Sequence, residues 1–406
     1  MHALLAALLS LGPHAADALA HAQDAPAAWV SMPTPRRPAS AAVVALPKRV
    51  YGYLPYWESI DLNAFRWDLI TDIIAFSVEV GADGTVSNPH ALPGGALVSA
   101  AHANGVRVHL CATLFNTSGG NEIATFLGST SARAAAVQQL TAVAPDGINL
   151  DYEFVPSASR DAFTSFVQQL REALPQPLEL TLAMPATASY GGYDVPRLAT
   201  LSSQLLLMEY DYHWRTGPSA GAVSPLASVE NAVDGYLALV PAGAIAMGVP
   251  YYGYEWPTAS LTVGAATTGT GTSVLFDSAF TKFAAYGRVW DTASQTPWYT
   301  YSSGQPRQGW VEDGESLALK YRFARTRDLA GVMIWALGYD GTRTEAWDAL
   351  QSAYFPEVPI QPPPARGCSQ AGTTPAALVL LALFCLRRRS TLRPVWGPYP
   401  GAHARK

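Results

Sequence analysis

Along the middle of the chain, apolar runs of seven to nine residues recur, set apart by polar and turn-rich stretches. They are RVYGYLPYW (49–57), DIIAFSVEV (72–80), VRVHLCAT (106–113), GINLDYEF (147–154), LELTLAM (178–184), LLLMEYDY (205–212), IAMGVPYY (245–252) and GVMIWAL (331–337). Runs of this length, bounded by turn residues, predict buried strands. Between them, SARAAAVQQLTAVA (131–144), RDAFTSFVQQLREAL (160–174), ESLALKYRFARTRD (315–328) and TRTEAWDALQSAYF (342–355) place apolar residues at three- and four-residue steps. That is the period of an amphipathic helix. Eight strands alternating with helices over about 300 residues predict an α/β fold, a (β/α)8 TIM barrel. A doubly wound sheet shares the alternation, but no glycine-rich phosphate loop follows the first strand. The Gly- and Thr-rich stretch from Glu255 to Ser303 contains strand-like pieces. It predicts a small β-rich insertion, at about 255–310, between strands seven and eight.

The flanks read differently. Residues 1–22 hold a short apolar segment, Leu4 to Leu11, and a small-residue site, Ala18–Leu19–Ala20, and resemble a secretory signal peptide lacking a basic start. Residues 23–47 are Ala/Pro-rich and predict a disordered linker ahead of a catalytic barrel at 48–355. A Pro-rich linker follows at 356–367. In 368–390, CSQAGTTPAALVLLALFCLRRRS, a Cys, small residues, an apolar run and Arg387 to Arg389 follow in order. The run is shorter than the roughly 20 residues that span a bilayer, but the arginines suit a cytoplasmic stop. The order resembles the sorting tails of myxobacterial surface proteins. It implies a membrane anchor or sorting tail, with a further tail at 391–406. The expected location is outside the cytoplasm, secreted or held at the cell surface through the C-terminal segment.

Composition narrows the function. Only 14% of residues are charged and the net charge is −5, with no basic face for nucleic acid. Eleven Trp and 19 Tyr exceed what a core needs and leave some to line a groove that stacks flat ligands. Of three cysteines only Cys111 falls in the folded body, so no disulfide framework is expected, and no Cys/His spacing suits zinc.

The stretch DGINLDYEF (146–154) carries the chemistry. Side chains alternate along a strand. Leu150, Tyr152 and Phe154 therefore share the face toward the helices, while Asn149, Asp151 and Glu153 share the face toward the barrel interior. Glu153 lies at the C-terminal end, where such barrels place catalytic groups. Inward polar groups are costly unless paired or functional. A structural network or a metal site would account for them, but an acid/base ladder fits best, with Asn149 donating its amide to the Asp151 carboxylate.

The octapeptide Asp146–Glu153 resembles the D-G-x-D-x-D-x-E signature of glycoside hydrolase family 18, the chitinase family. MEYDYHW (208–214), GVPYYGYEW (248–256), EDGESLALKY (312–321) and GVMIWALGYD (331–340) resemble further elements of that family in the same order. HLCATLFN replaces the usual S-x-G-G of strand three, and Asn149 replaces an Asp. Both changes, with GYLPYW (52–57), resemble the chitobiase-like and spore-germination-type branch, the latter acting on peptidoglycan. The resemblance implies hydrolysis of β-1,4 bonds in N-acetylglucosamine-containing glycans (chitin, chito-oligosaccharides or peptidoglycan) with retention of configuration. It implies Glu153 as general acid/base, Asp151 and Tyr210 as its catalytic partners, and Trp335 as the floor of the sugar site. Asn149, Met208, Asp211, Tyr53, Trp57 and Tyr252 join the substrate-binding set, and Asp146 is structural. No metal or cofactor is implied, and a monomer is expected. A non-catalytic glycan-binding protein on the same barrel is the alternative; its inactive members lose the acid that Glu153 retains.

Overall fold

Each of the eight apolar runs forms a strand that pairs in parallel with its neighbours, and the last returns to the first. The protein is described by a computed structural model covering residues 12–27, 46–58, 60–116 and 120–356. In chain order it contains α1 (Pro13–His21), β1 (Arg49–Pro55), β2 (Asp72–Val80), β3 (Val86–Ser87), α2 (Gly95–Ala103), β4 (Arg107–Leu114), α3 (Glu122–Gly128), α4 (Thr130–Val143), β5 (Gly147–Tyr152), α5 (Arg160–Ala173), β6 (Glu179–Met184), α6 (Val195–Leu201), β7 (Gln204–Leu207), α7 (Leu226–Leu237) and β8 (Ile245–Pro250). There follow β9 (Tyr252–Pro257), β10 (Thr272–Leu275), α8 (Phe276–Tyr286), β11 (Val289–Asp291), β12 (Thr296–Ser303), β13 (Gln305–Val311), α9 (Gly314–Thr326), β14 (Gly331–Trp335) and α10 (Glu345–Tyr354). The ring runs β1-β14-β8-β7-β6-β5-β4-β2 and closes through a β1–β2 pairing, which is the (β/α)8 barrel. Closure leaves no exposed edge among these eight strands.

Burial on both faces is why the strands read as near-continuous apolar runs. Every residue of β5, β8 and β14 is buried. The helices seal the outer face. Along α5, Phe163, Phe166, Val167 and Leu170 are buried, and Phe166 stacks on Tyr152 of β5 with ring centroids 5.7 Å apart. Cys111 lies in this body as a buried free thiol.

The insertion is larger than expected and is not purely β. It runs from Tyr252 to Val311 as a five-stranded antiparallel sheet, β10-β9-β13-β12-β11, with helix α8 against it. Val274, Ala279, Phe283, Tyr299 and Val311 form its own small core. It leaves β8 at the C-terminal mouth of the barrel and so brings β9 beside the strand ends.

Two further expectations are corrected. Phe154 does not pack beneath the helices; it is 39% exposed, because β5 ends at Tyr152 and Phe154 turns with φ of 56°. The seventh apolar run ends in the barrel at Pro250, so Tyr252 opens the insertion sheet. In the N-terminal stretch Pro13–His21 form helix α1, and the Ala27 N–H donates to the Tyr56 carbonyl at 2.7 Å. Residues 1–11 and 28–45 lie outside the described residues. So do residues 357–406, with the rest of the Pro-rich linker and the expected anchor. No helix among the described residues is long and apolar enough to cross a membrane.

At the barrel's other end a single carboxylate ties strand starts together. Asp72 is fully buried and accepts from Arg49 Nε at 2.7 Å, Arg107 Nε at 2.7 Å and His109 Nε2 at 3.0 Å. Burial alone would raise its carboxyl, but these donors hold it well below the usual carboxylate range. A lowered native pKa contributes stability above the unfolded value and loses it as pH falls toward the native one. Asp72→Asn is therefore expected to cost about 2–3 kcal/mol at pH 7, the scale of charged hydrogen bonds lost in a buried place. In urea denaturation the gap from wild type should narrow as pH falls below the ordinary carboxylate range. Equal stability at pH 7 would show that the network is incidental.

Candidate active site

Strand β5 lifts three polar side chains toward the C-terminal mouth in successive layers. The lowest, Asn149, is fully buried. Its Oδ1 accepts from the Tyr53 hydroxyl at 2.8 Å, and its Nδ2 donates to Thr181 Oγ1 at 2.9 Å. This corrects the expected bond from Asn149 to Asp151. Parallel register sets Asn149 level with Thr181 on β6, so its amide finds a partner within its own layer rather than in the one above.

Asp151, next along the face, is fully buried. Glu153 follows just past the strand end and is 4% exposed. Burial raises the Glu153 carboxyl well above its ordinary range, and the neighbouring Asp151 charge raises it further. Two backbone N–H groups pull the other way, from Ala15 and His14 at 3.3 and 3.0 Å, and do not prevail. Asp151 Oδ1 and Glu153 Oε2 have no hydrogen-bond partner among the described residues.

The other strands close in on this pair. Tyr210, beyond the end of β7, is buried, and its hydroxyl lies 2.6 Å from His14 Nε2 and 3.5 Å from the Met333 sulfur. Trp335, the last residue of β14, is 1% exposed. Its ring stacks on His14 at 3.7 Å between centroids. His14 Nδ1 lies 2.8 Å from Asp151 Oδ2. One imidazole therefore reaches Asp151, Tyr210 and Trp335 at once, while its backbone N–H meets Glu153.

The remaining predicted residues spread outward. Met208 is buried just after β7. Asp211 has φ of 57° and accepts from the hydroxyls of Tyr252 at 2.5 Å and Tyr254 at 3.3 Å. Burial pushes its carboxyl up to about 7 against those two hydrogen bonds. Tyr53 lies under the His14 ring at 4.8 Å between centroids. Trp57 is farther out, and its Nε1 donates to the Tyr339 hydroxyl at 3.3 Å. Asp146 is at the opposite end of β5 from the acids; it accepts from the Val108 N–H and from His102 Nε2, each at 2.7 Å.

Sequence reasoning missed His14, Asp17, His21, Tyr254, Phe76 and Tyr339. Phe76 packs edge-on against Trp335 at 4.9 Å between centroids. Asp17 accepts from Trp335 Nε1 at 3.1 Å and from the Tyr339 hydroxyl. A signal for the helix was present: Gly12–Pro13 is a helix start, and His14, Asp17 and His21 repeat at three- and four-residue steps.

Two groups of side chains are close enough to share a cation, His14–Asp151–Glu153 and Asp72–His109–Glu179. Guanidinium groups already neutralise Asp72, and two backbone N–H groups donate to Glu153 Oε1.

Comparison with known proteins places the chain in a family. The profile of "Glycosyl hydrolases family 18" matches residues 49–340. Among curated proteins, the putative sporulation-specific glycosylase YdhD of Bacillus subtilis is 31% identical over 204 residues, 47% of this chain and 46% of that protein. The cortical fragment-lytic enzyme of the same species is 27% identical over the same shares. The chain thus spans about half the length of these relatives. Among solved structures, a chitinase from Chromobacterium violaceum superposes with a TM-score of 0.63 at 24% identity, covering 75% of this chain and 98% of that one. The YdhD structure superposes with a TM-score of 0.58 at 26% identity, covering 64% and 90%. The profile takes in the whole barrel, from β1 past Trp335, and with it the acids of β5: the chain belongs to glycosyl hydrolase family 18.

Proposed function

We propose that this barrel hydrolyses β-1,4 glycosidic bonds in N-acetylglucosamine-containing glycans, with retention of configuration and the substrate's own acetamido group as nucleophile. One observation carries the reading: Asp151, Glu153, Tyr210 and Trp335 converge on a space the size of a single ring. A pyranose stacked on Trp335 in that space would set its reacting carbon beneath the Glu153 carboxyl.

The chemistry follows from the groups present. Retaining enzymes of the ordinary kind use a second carboxylate as nucleophile, and this family is an exception that uses the substrate. Glu153 donates its proton to the glycosidic oxygen as the bond to the anomeric carbon breaks. The acetamido oxygen attacks that carbon and closes an oxazolinium ring. Asp151 accepts the acetamido N–H and offsets the developing positive charge, while the Tyr210 hydroxyl donates to the acetamido oxygen and aims it. Glu153, now a carboxylate, takes a proton from incoming water, which opens the ring and restores the acid. Burial suits the first step, because a carboxyl raised above its ordinary range holds its proton to higher pH than an exposed glutamate does. Asp211, between two tyrosines, is placed to bind a sugar hydroxyl.

The substrate lies within a chemical class rather than a single polymer. Relatives include a chitinase and a cortical fragment-lytic enzyme, and the proposed mechanism asks of any substrate a 2-acetamido sugar at the cleavage side. A glycan-binding barrel without catalysis is the second reading; the acid it would dispense with is in place and desolvated.

Glu153→Gln keeps the shape and removes the transferable proton. It should lower kcat/KM on chito-oligosaccharides by about 100-fold or more, the usual scale for general acid catalysis, with oligosaccharide binding retained. Near-wild-type turnover would assign the acid elsewhere. A second check uses the substrate. Oligomers deacetylated at the sugar on the cleavage side lack the nucleophile and should resist hydrolysis, whereas a thiazoline mimic of the cyclic intermediate should inhibit. Equal rates on acetylated and deacetylated oligomers would exclude substrate assistance.

A further inference from the structure

Helix α1 is held by the atoms that the proposed chemistry would use. It begins at Pro13, so the first N–H groups, of His14 and Ala15, have no partner within the helix. Both point at the Glu153 carboxylate. One turn on, the Asp17 carboxylate takes the indole N–H of Trp335 and the hydroxyl of Tyr339. A turn further, His21 stacks on Trp57 with rings 4.6 Å apart and 6° from parallel, and its carbonyl accepts from the Tyr56 hydroxyl at 2.7 Å. Three positions on one helix face thus track the aromatic floor of the cleft.

The fit is specific at both ends of the contact. The His14 imidazole, fully buried, lies flat on Trp335 where a sugar ring would stack. It offers Nδ1 to Asp151 and Nε2 to Tyr210, the two groups proposed to hold an acetamide. Gly12 lets the chain pass over the acid: a Cβ there would lie 1.2 Å from Glu153 Oε2. A generic apolar segment laid into a groove would need none of these pairings.

We infer that residues 12–21 are an intramolecular plug that occupies the substrate cleft, so the full chain is self-inhibited and gains its site when the segment leaves. The inference rests on the hydrolase reading only for its catalytic readout. Tethering makes the plug effective, because a covalently attached competitor acts at a high local concentration that a free peptide lacks. The small-residue site Ala18–Leu19–Ala20 lies inside the plug. Cleavage after Ala20 would detach His14 and Asp17 from the barrel and convert the tethered competitor into a short free peptide. Removal of the leader and unblocking of the site would then be one event.

The test uses the unprocessed full chain and two variants that leave the barrel untouched. Gly12→Val drives a side chain into Glu153, and His14→Ala/Asp17→Ala removes the pairings. Hydrogen exchange followed by mass spectrometry reads the amides of residues 13–21, and kinetics on chitotetraose reads the site. Wild type should protect the His14 and Ala15 amides. Adding chitotetraose should speed their exchange, because competition for one site is reciprocal. Both variants should lose the protection and gain about tenfold or more in kcat/KM, chiefly through a lower KM, since a competitor dilutes the open site without changing its chemistry. Unprotected amides in wild type would overturn the plug, as would variants that release the segment yet keep wild-type kinetics. If protection is lost on mutation but no chain hydrolyses chitotetraose or peptidoglycan, occlusion stands and the hydrolase reading fails.

Discussion

Two carboxyls held side by side out of water are the constraint around which the mouth of this barrel is arranged. Asp151 and Glu153 have almost no exposure, and burial, with the Asp151 charge beside it, raises the Glu153 carboxyl well above its ordinary range. Asp151 has the His14 imidazole at 2.8 Å, in contrast to Asp72 at the opposite end, which two arginines surround. The upper acids meet that imidazole and two backbone N–H groups instead. Guanidinium groups tie strand starts together at one end, and at the other the proposed reaction would use the Glu153 proton.

The layer below sets the spacing. Asn149 bonds sideways to Thr181 and Tyr53, so the rung under Asp151 is a neutral, satisfied ring of contacts between strands rather than a further acid. Asp151 is left without a partner from below, and its polar contact comes from above. In the protein as described that contact is His14; in the proposed reaction it is the acetamide of a sugar. The same deficit explains both occupants.

Much of this was legible in the chain because the barrel strands are buried on both faces and announce themselves as apolar runs. The inward row Asn149–Asp151–Glu153 was readable because alternation holds while a strand lasts. It failed at Phe154, in the turn that follows the strand, where positive φ sends the ring outward. Short helices such as α3 and α6 carry too few apolar positions to show a period. Helix α8 was hidden in a Gly/Thr-rich stretch whose strand character dominates. The largest miss, α1, is Ala-rich and reads as a leader, because what orders it is a set of unsatisfied acids more than a hundred residues away. Local composition cannot report a partner at that distance.

In the proposed reaction the anomeric carbon is attacked twice, first by the substrate's acetamido oxygen and then by water. Each attack inverts the centre, so the configuration returns. Proton NMR of the products in the first minutes of chito-oligosaccharide hydrolysis, before mutarotation, reads this directly. The account predicts that the newly formed reducing end appears as the β anomer. Initial release of the α anomer would mean a single displacement by water and would contradict it.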